Sequence, residues 1–267
     1  MSLPESPAQL LLLSRPPGRE IAAAAVARVL GGSAYEVKLR LAAASGGPAV
    51  LALSRRRQEV DSWVVELRAL GLIAMRVDRA RLLLRKRIEV RDWRLAGGAL
   101  TVLDPVGAKT EIRLDGLEGG VQALELERAV ERRVTSGRKL SLGRAIATGG
   151  LILTKKATRE QIFHHVDPLH RLVLYPMGDL ALISMAEETV RYTGLPHPLA
   201  PSRGANFVRM VALIRSQLPS NAFFDEELLD HRRVAALLGS AAGSSDDLRL
   251  AMDLTAEASR QSAITGA

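Results

Sequence analysis

Four consecutive leucines at 10–13 are followed at once by Ser14-Arg15-Pro16-Pro17-Gly18. A short unbroken apolar run closed by Pro-Pro-Gly reads as a buried strand and a turn. This constrains what comes next, because a strand buried on both faces needs helices or further sheet to cover it. The following segments supply them. Residues 19–30 place Ile21, Ala25, Val26, Val29 and Leu30 at helical spacing, and Gly31-Gly32 is a good stop. Ser33 stands as N-cap of a second helix, with Glu36 at capping-box spacing and Val37 and Leu41 on its apolar side. A second strand is expected at 49–53. Ser54 then caps a third helix with Val60, Val64, Leu67 and Leu70 on one side, Gly71 ends it, and 72–77 forms a third strand. Residues 1–80 are therefore expected to be a small α/β module of order βααβαβ.

That order and spacing resemble the fold shared by the Clp-protease adaptors and the C-terminal domain of the ribosomal stalk protein. The residues that carry the resemblance are 10–13, then Val29-Leu30-Gly31-Gly32-Ser33-Ala34-Tyr35-Glu36-Val37-Lys38, then Gly47-Pro48 and Leu70-Gly71-Leu72, within residues 10–78. The resemblance implies a docking module without chemistry of its own. In the stalk domain a lysine-bearing second helix docks partners. Lys38 matches one such lysine and Tyr35 occupies the place of another, so both are candidate partner-binding residues. The adaptors hold a substrate's N-terminal amine with an Asn-Asp-Asp run. Here Ser14-Arg15-Pro16 offers no carboxylate, and no histidine precedes residue 164.

At 267 residues the chain is long enough for two domains. It has no cysteine, which excludes disulfides, thiolate metal sites and a cysteine nucleophile. Aromatic residues make up 3%, too few for a stacking platform on single-stranded nucleic acid. The net charge is +8, and its surplus falls in residues 79–200. Such a surplus fits contact with something anionic, or an arginine-rich composition alone. The most apolar run, 21–30, contains Arg28 and is far shorter than the ~20 residues a membrane helix needs. With no basic, apolar leader at the start, a cytoplasmic location is expected.

Residues 79–94 form the densest basic stretch, in which Arg85, Lys86, Arg87 and Arg91 are candidate anion-binding residues. The alternation of Ile88 and Val90 with Glu89 and Arg91 indicates a half-buried strand. Further short, turn-separated segments follow at 99–103, 110–114, 121–127 and 151–154. A hairpin is expected through Pro176-Met177-Gly178-Asp179. Their regular spacing predicts one antiparallel sheet or barrel over 86–220, while 126–134 fits either a strand or a short helix. From Pro201 an amphipathic helix presents Phe207, Met210, Val211, Ile214 and Leu218 on one stripe. A β unit closed by one helix is faintly similar to bacterial pleckstrin-homology-like domains. Residues 221–267 are expected to hold a short helix from 225 through Leu238, a loose helix at 246–261 and a flexible tail. The fold class is α+β.

No catalytic pattern emerges. His164, His165, Asp167 and His170 cluster within seven residues, but neighbours on a strand point to opposite faces. His197 lies in a proline-flanked turn and His231 precedes Arg232-Arg233. The run at 137–144, GRKLSLGR, lacks the spacing and context of a phosphate loop. Glu187 and Glu188 are adjacent and cannot be assumed to converge. The expectation is a non-catalytic adaptor or protein-interaction component with no cofactor and no metal. The alternatives are an electrostatic binder of nucleic acid or anionic lipid, and an unrecognised hydrolase or metal protein.

Overall fold

The computed structural model describes residues 8–14, 22–44, 47–140, 154–178, 180–242 and 246–266, with side chains outside 127–140, 154–167 and 263–266. The turn expected at 15–18 and the segment at 148–153 lie outside the described residues. The fold is α+β. Residues 1–125 and 169–267 form one compact unit, and residues 126–168 form a second.

In the first unit, β1 (Gln9–Ser14) is the centre of a three-stranded sheet of order β2-β1-β3, with β2 (Ala49–Ser54) and β3 (Ile73–Asp78) both antiparallel to it. The leucines alternate, as strand geometry requires. Leu11 and Leu13 pack with Val26 of α1 (Ala23–Leu30), Val37 of α2 (Ala34–Ala43) and Val60, Val64 and Leu67 of α3 (Arg57–Ala69). Leu10 and Leu12 face a different core. Gly31, at φ +66°, ends α1 in the left-handed conformation that glycine adopts without strain. The Ser33 Oγ accepts from the Tyr35 amide at 3.2 Å and caps α2.

A short helix, α4 (Arg79–Leu83), follows β3, with the Asp78 carboxylate accepting from the Arg81 amide at 3.1 Å. The basic stretch then divides between two sheets. Residues β4 (Arg87–Glu89) edge a five-stranded sheet of order β11-β8-β9-β10-β4. The strands β5 (Asp92–Ala96), β6 (Ala99–Leu103) and β7 (Lys109–Arg113) make a separate antiparallel sheet. The long strands β8 (Leu117–Leu140) and β9 (Thr154–Pro176) settle 126–134 as strand, and β10 (Leu182–Ala186) pairs antiparallel with β9 across the expected hairpin.

A single antiparallel sheet over 86–220 is not what forms. Both edges of the five-stranded sheet are parallel pairs, β10 with β4 and β11 (Phe223–Leu228) with β8. Each pair joins strands far apart in sequence, and such long connections are what parallel neighbours require. The strand β11 also replaces the start of the helix expected from residue 225. It lies so close to β8 that a Cβ on Gly119 would sit 2.3 Å from the Phe223 carbonyl oxygen. Only then comes a helix, α6 (Arg232–Leu238).

One face of the five-stranded sheet, through Leu172, Leu174, Ile183 and Met185, packs with Trp93, Leu100 and Val102 of the β5–β7 sheet. Phe207, Met210, Val211 and Ile214 of α5 (Arg203–Ser216) belong to the same core. The other face, through Val121, Val173 and Tyr175, meets the last helix, α7 (Asp247–Gly266). The helix expected as a loose one over 246–261 is thus buried in its middle. Every residue from Leu250 to Ala256 is buried, and this stretch shares one core with Leu10 and Leu12 of β1.

Candidate functional site

Two places in the first unit carry unusual side-chain arrangements: the outer face of α2 and a cavity beside α4 and α7. The helix α2 is tied inward by Val37, which is buried, and by Arg40. Arg40 donates from Nε to the Val50 carbonyl at 2.9 Å and from Nη2 to the Leu237 carbonyl at 2.7 Å. Burial lowers its pKa from the ordinary arginine value. Since 3.6 residues make a turn, Tyr35, Lys38 and Leu39 then fall on the opposite side. Tyr35 is 69% exposed and Leu39 52% exposed, with exposed Lys38 between them. These are the two candidate partner-binding residues plus a leucine one turn from Tyr35.

The four candidate anion-binding residues do not share one place. Arg87 is committed to a buried ion pair: its Nη2 donates to Asp253 Oδ2 at 2.7 Å, with side-chain exposures of 7% and 0%. Tyr175 donates its hydroxyl to the other oxygen of Asp253 at 3.0 Å. Burial pushes the Asp253 carboxyl up, against the pull of Arg87 and Tyr175. Burial together with the Asp253 charge drives the Tyr175 phenol well above its usual range. Arg87 therefore spends its Nη2 inside the protein, and the cavity of about 200 Å³ that it lines with Arg171 and Arg249 is not the one lined by Arg85 and Lys86. Arg91 is exposed, its backbone bridging Leu103 and Arg191.

Arg85 and Lys86 do converge, on a cavity of about 750 Å³. Its wall carries Arg76, Arg81, Arg85, Lys86 and Arg260 against Asp78, Glu118 and Glu257. Arg85 Nη2 donates to Glu257 Oε1 at 2.6 Å, and Arg260 Nη1 reaches the same oxygen at 2.8 Å. Arg260 also pairs with Glu118, and its guanidinium lies 5.4 Å from the centre of the Tyr175 ring. Arg76 is spent on Asp61 at 2.6 Å and on Gln9 at 2.7 Å. Burial raises the Asp78 carboxyl, but hydrogen bonds from the Arg81 amide and Gln9, among others, outweigh it and hold the pKa below the ordinary value. Sequence reasoning found Arg85 and Lys86 and missed the rest of the wall. Glu118, Glu257 and Arg260 are too distant in sequence for any local pattern to join them to residue 85.

The remaining candidates do not assemble a reaction centre. Glu187 Oε2 accepts from the His170 amide at 3.0 Å, while Glu188 lies 3.9 Å from Arg171, so the two carboxylates serve different partners. His170 stacks on Phe207 with ring centres 5.8 Å apart. His197 and His231 are exposed. The side chains of His164, His165, Asp167 and residues 137–144 lie outside the described residues. Among the described residues no group of three or more His, Asp and Glu is placed to hold a metal ion, and no helix is long and apolar enough to cross a membrane. No family model, curated protein or solved structure matches the chain.

Proposed function

We propose that the protein is a non-catalytic cytoplasmic adaptor that docks another protein on the outer face of α2. The observation that carries this reading is the exposed triplet Tyr35, Lys38 and Leu39 on a helix whose other side is locked to β2 and α6. A tyrosine beside an aliphatic side chain is the kind of anchor that contributes most to an interface once water is excluded. Lys38 next to them selects a partner segment that sets a carboxylate beside its apolar side chains. The resemblance of residues 10–78 to domains that dock partners through a second helix supports the same assignment. Photocrosslinking in the cells that make the protein tests it. A benzophenone residue at position 35 or 39 gives a discrete adduct with one protein, and Lys38→Glu weakens that adduct. The same residue at Val106, 89% exposed and remote in sequence, gives none. Equal adducts from 35 and 106 contradict the reading.

A second reading, electrostatic binding of nucleic acid or anionic lipid, is supported by where the charge lies. Residues 126–168, the second compact unit, hold nine Lys and Arg against four Asp and Glu, a net +5 of the chain's +8. It predicts an affinity for duplex DNA or anionic vesicles that falls steeply with salt. Binding indifferent to salt removes it.

A further inference from the structure

We infer that the cavity beside α4 and α7 is a binding site for an organic phosphate with an aliphatic body. This site is separate from the α2 face and does not depend on the docking role. Three features of the wall argue for it. First, its cations are not all neutralised. Arg76, Arg85 and Arg260 have carboxylate partners, whereas the Arg81 and Lys86 side chains have none among the described residues. Second, Arg85 shares Glu257 Oε1 with Arg260, so one carboxylate oxygen serves two guanidinium groups of the wall. Third, Leu82, Leu180 and Leu182 line the same space, and Leu180 is 63% exposed, so one side of the cavity is prepared for an apolar group.

The chemistry narrows the ligand. A lone carboxylate is satisfied by one arginine fork, whereas two cations without carboxylate partners suit a group with three oxygens and up to two charges. The volume is within the ~300–1,000 Å³ of small-molecule sites. No aromatic residue is among those lining it, so nothing is placed to stack a nucleobase. An alkyl or other aliphatic phosphate fits the wall on both counts, whether free in solution or as the headgroup of a phosphatidic acid.

Calorimetry on the full chain tests this with hexyl phosphate, inorganic phosphate and hexanoate as probes. Hexyl phosphate binds at least tenfold tighter than either of the others. Arg81→Met and Lys86→Met each weaken it at least tenfold without moving the unfolding midpoint, and Arg91→Met leaves it unchanged. Vesicles of phosphatidylcholine with phosphatidic acid separate the two sources. Capture of the protein that is lost in the Arg81 and Lys86 variants assigns a lipid headgroup, and hexyl phosphate binding without capture assigns a soluble ligand. The absence of hexyl phosphate binding at millimolar concentration overturns the inference. So does binding that Arg81→Met and Lys86→Met leave intact.

Discussion

Helices α2 and α7 are built from similar stock, alanines and leucines interleaved with charges, yet they end in opposite environments. Among the residues of α2 only Val37 is fully buried, whereas α7 is buried continuously from Leu250 to Ala256, including Asp253 and Thr255. The difference is in the neighbours. One side of α2 meets α1, β2 and α6, whereas Tyr35, Lys38 and Leu39 on the other are exposed. The helix α7 packs with Leu10 and Leu12 of β1 and with Val121, Val173 and Tyr175 of the larger sheet. A helix in that position must find partners for the charges it buries, and it finds them largely with residues far away in the chain: Asp253 with Arg87 and Tyr175, and Glu257 with Arg85, besides Arg260 on its own next turn. The contrast separates a helix that holds the platform together from one that presents its surface.

The largest effect that could break this contrast is removal of residues 246–267. It uncovers Leu10, Leu12, Val121 and Val173 together, and loss of cooperative thermal unfolding is the expected result. A truncated chain that still melts cooperatively would reduce α7 to a passenger. Next comes Asp253→Ala, which strands a buried Arg87. A loss of about 3–5 kcal/mol is expected by urea unfolding, and the double change Arg87→Met with Asp253→Leu should recover most of it. A similar loss in the single and double variants would mean that the volume of the helix, not its charge pairing, decides stability.

The first eighty residues were legible because their signals are local. Leucines 10–13 with their Pro-Pro-Gly stop, Gly31 after α1, Ser33 before α2 and Gly71 after α3 each act within a few positions, and the βααβαβ order follows from them. The last helix was legible as a helix, but its burial was not. Asp253, Thr255, Glu257 and Arg260 interrupt its apolar positions, so residues 246–261 read as a loose helix. The partners of Asp253, Glu257 and Arg260, at 87, 175, 85 and 118, carry no mark in sequence of ever meeting them. The strand β11 was missed for a related reason. Asp225-Glu226-Glu227 looks like the start of a helix, whereas its strand conformation comes from Phe223 and Phe224 pairing beside Gly119 and Gly120, a contact more than a hundred residues away. The cavity sits at the boundary of legibility: Arg81, Leu82, Arg85 and Lys86 stand in the visible basic run, while Glu118, Glu257, Leu180 and Leu182, which turn that run into a wall, do not.

A smaller effect concerns pH. Burial raises the carboxyl pKa values of Asp225 and Glu227 on β11, and each also feels a neighbouring acid. Their folded-state values lie above the unfolded ones, so the folded protein holds more protons between the two. Stability contributed by this pair is therefore greatest at low pH and is lost as pH rises from about 4 through the raised values. Urea unfolding from pH 4 to pH 7 should show the natural chain losing stability relative to an Asp225→Asn, Glu227→Gln variant. A gain with rising pH would place these carboxylates in a different environment. The smallest effect belongs to α2. Tyr35→Ala and Leu39→Ala should change stability by no more than about 0.5 kcal/mol, because neither side chain is covered. A cost above ~1 kcal/mol would mean that this face already has a partner within the chain.

Hydrogen exchange on the intact protein tests the division between the two helices most directly. Amides 250–256 of α7 should exchange as slowly as those of β1, through global unfolding alone, while amides on the outer face of α2 exchange faster, through local opening. Fast exchange throughout α7, with slow exchange on the outer face of α2, would contradict the account: the C-terminal helix would then be a loose appendage and α2 the buried one.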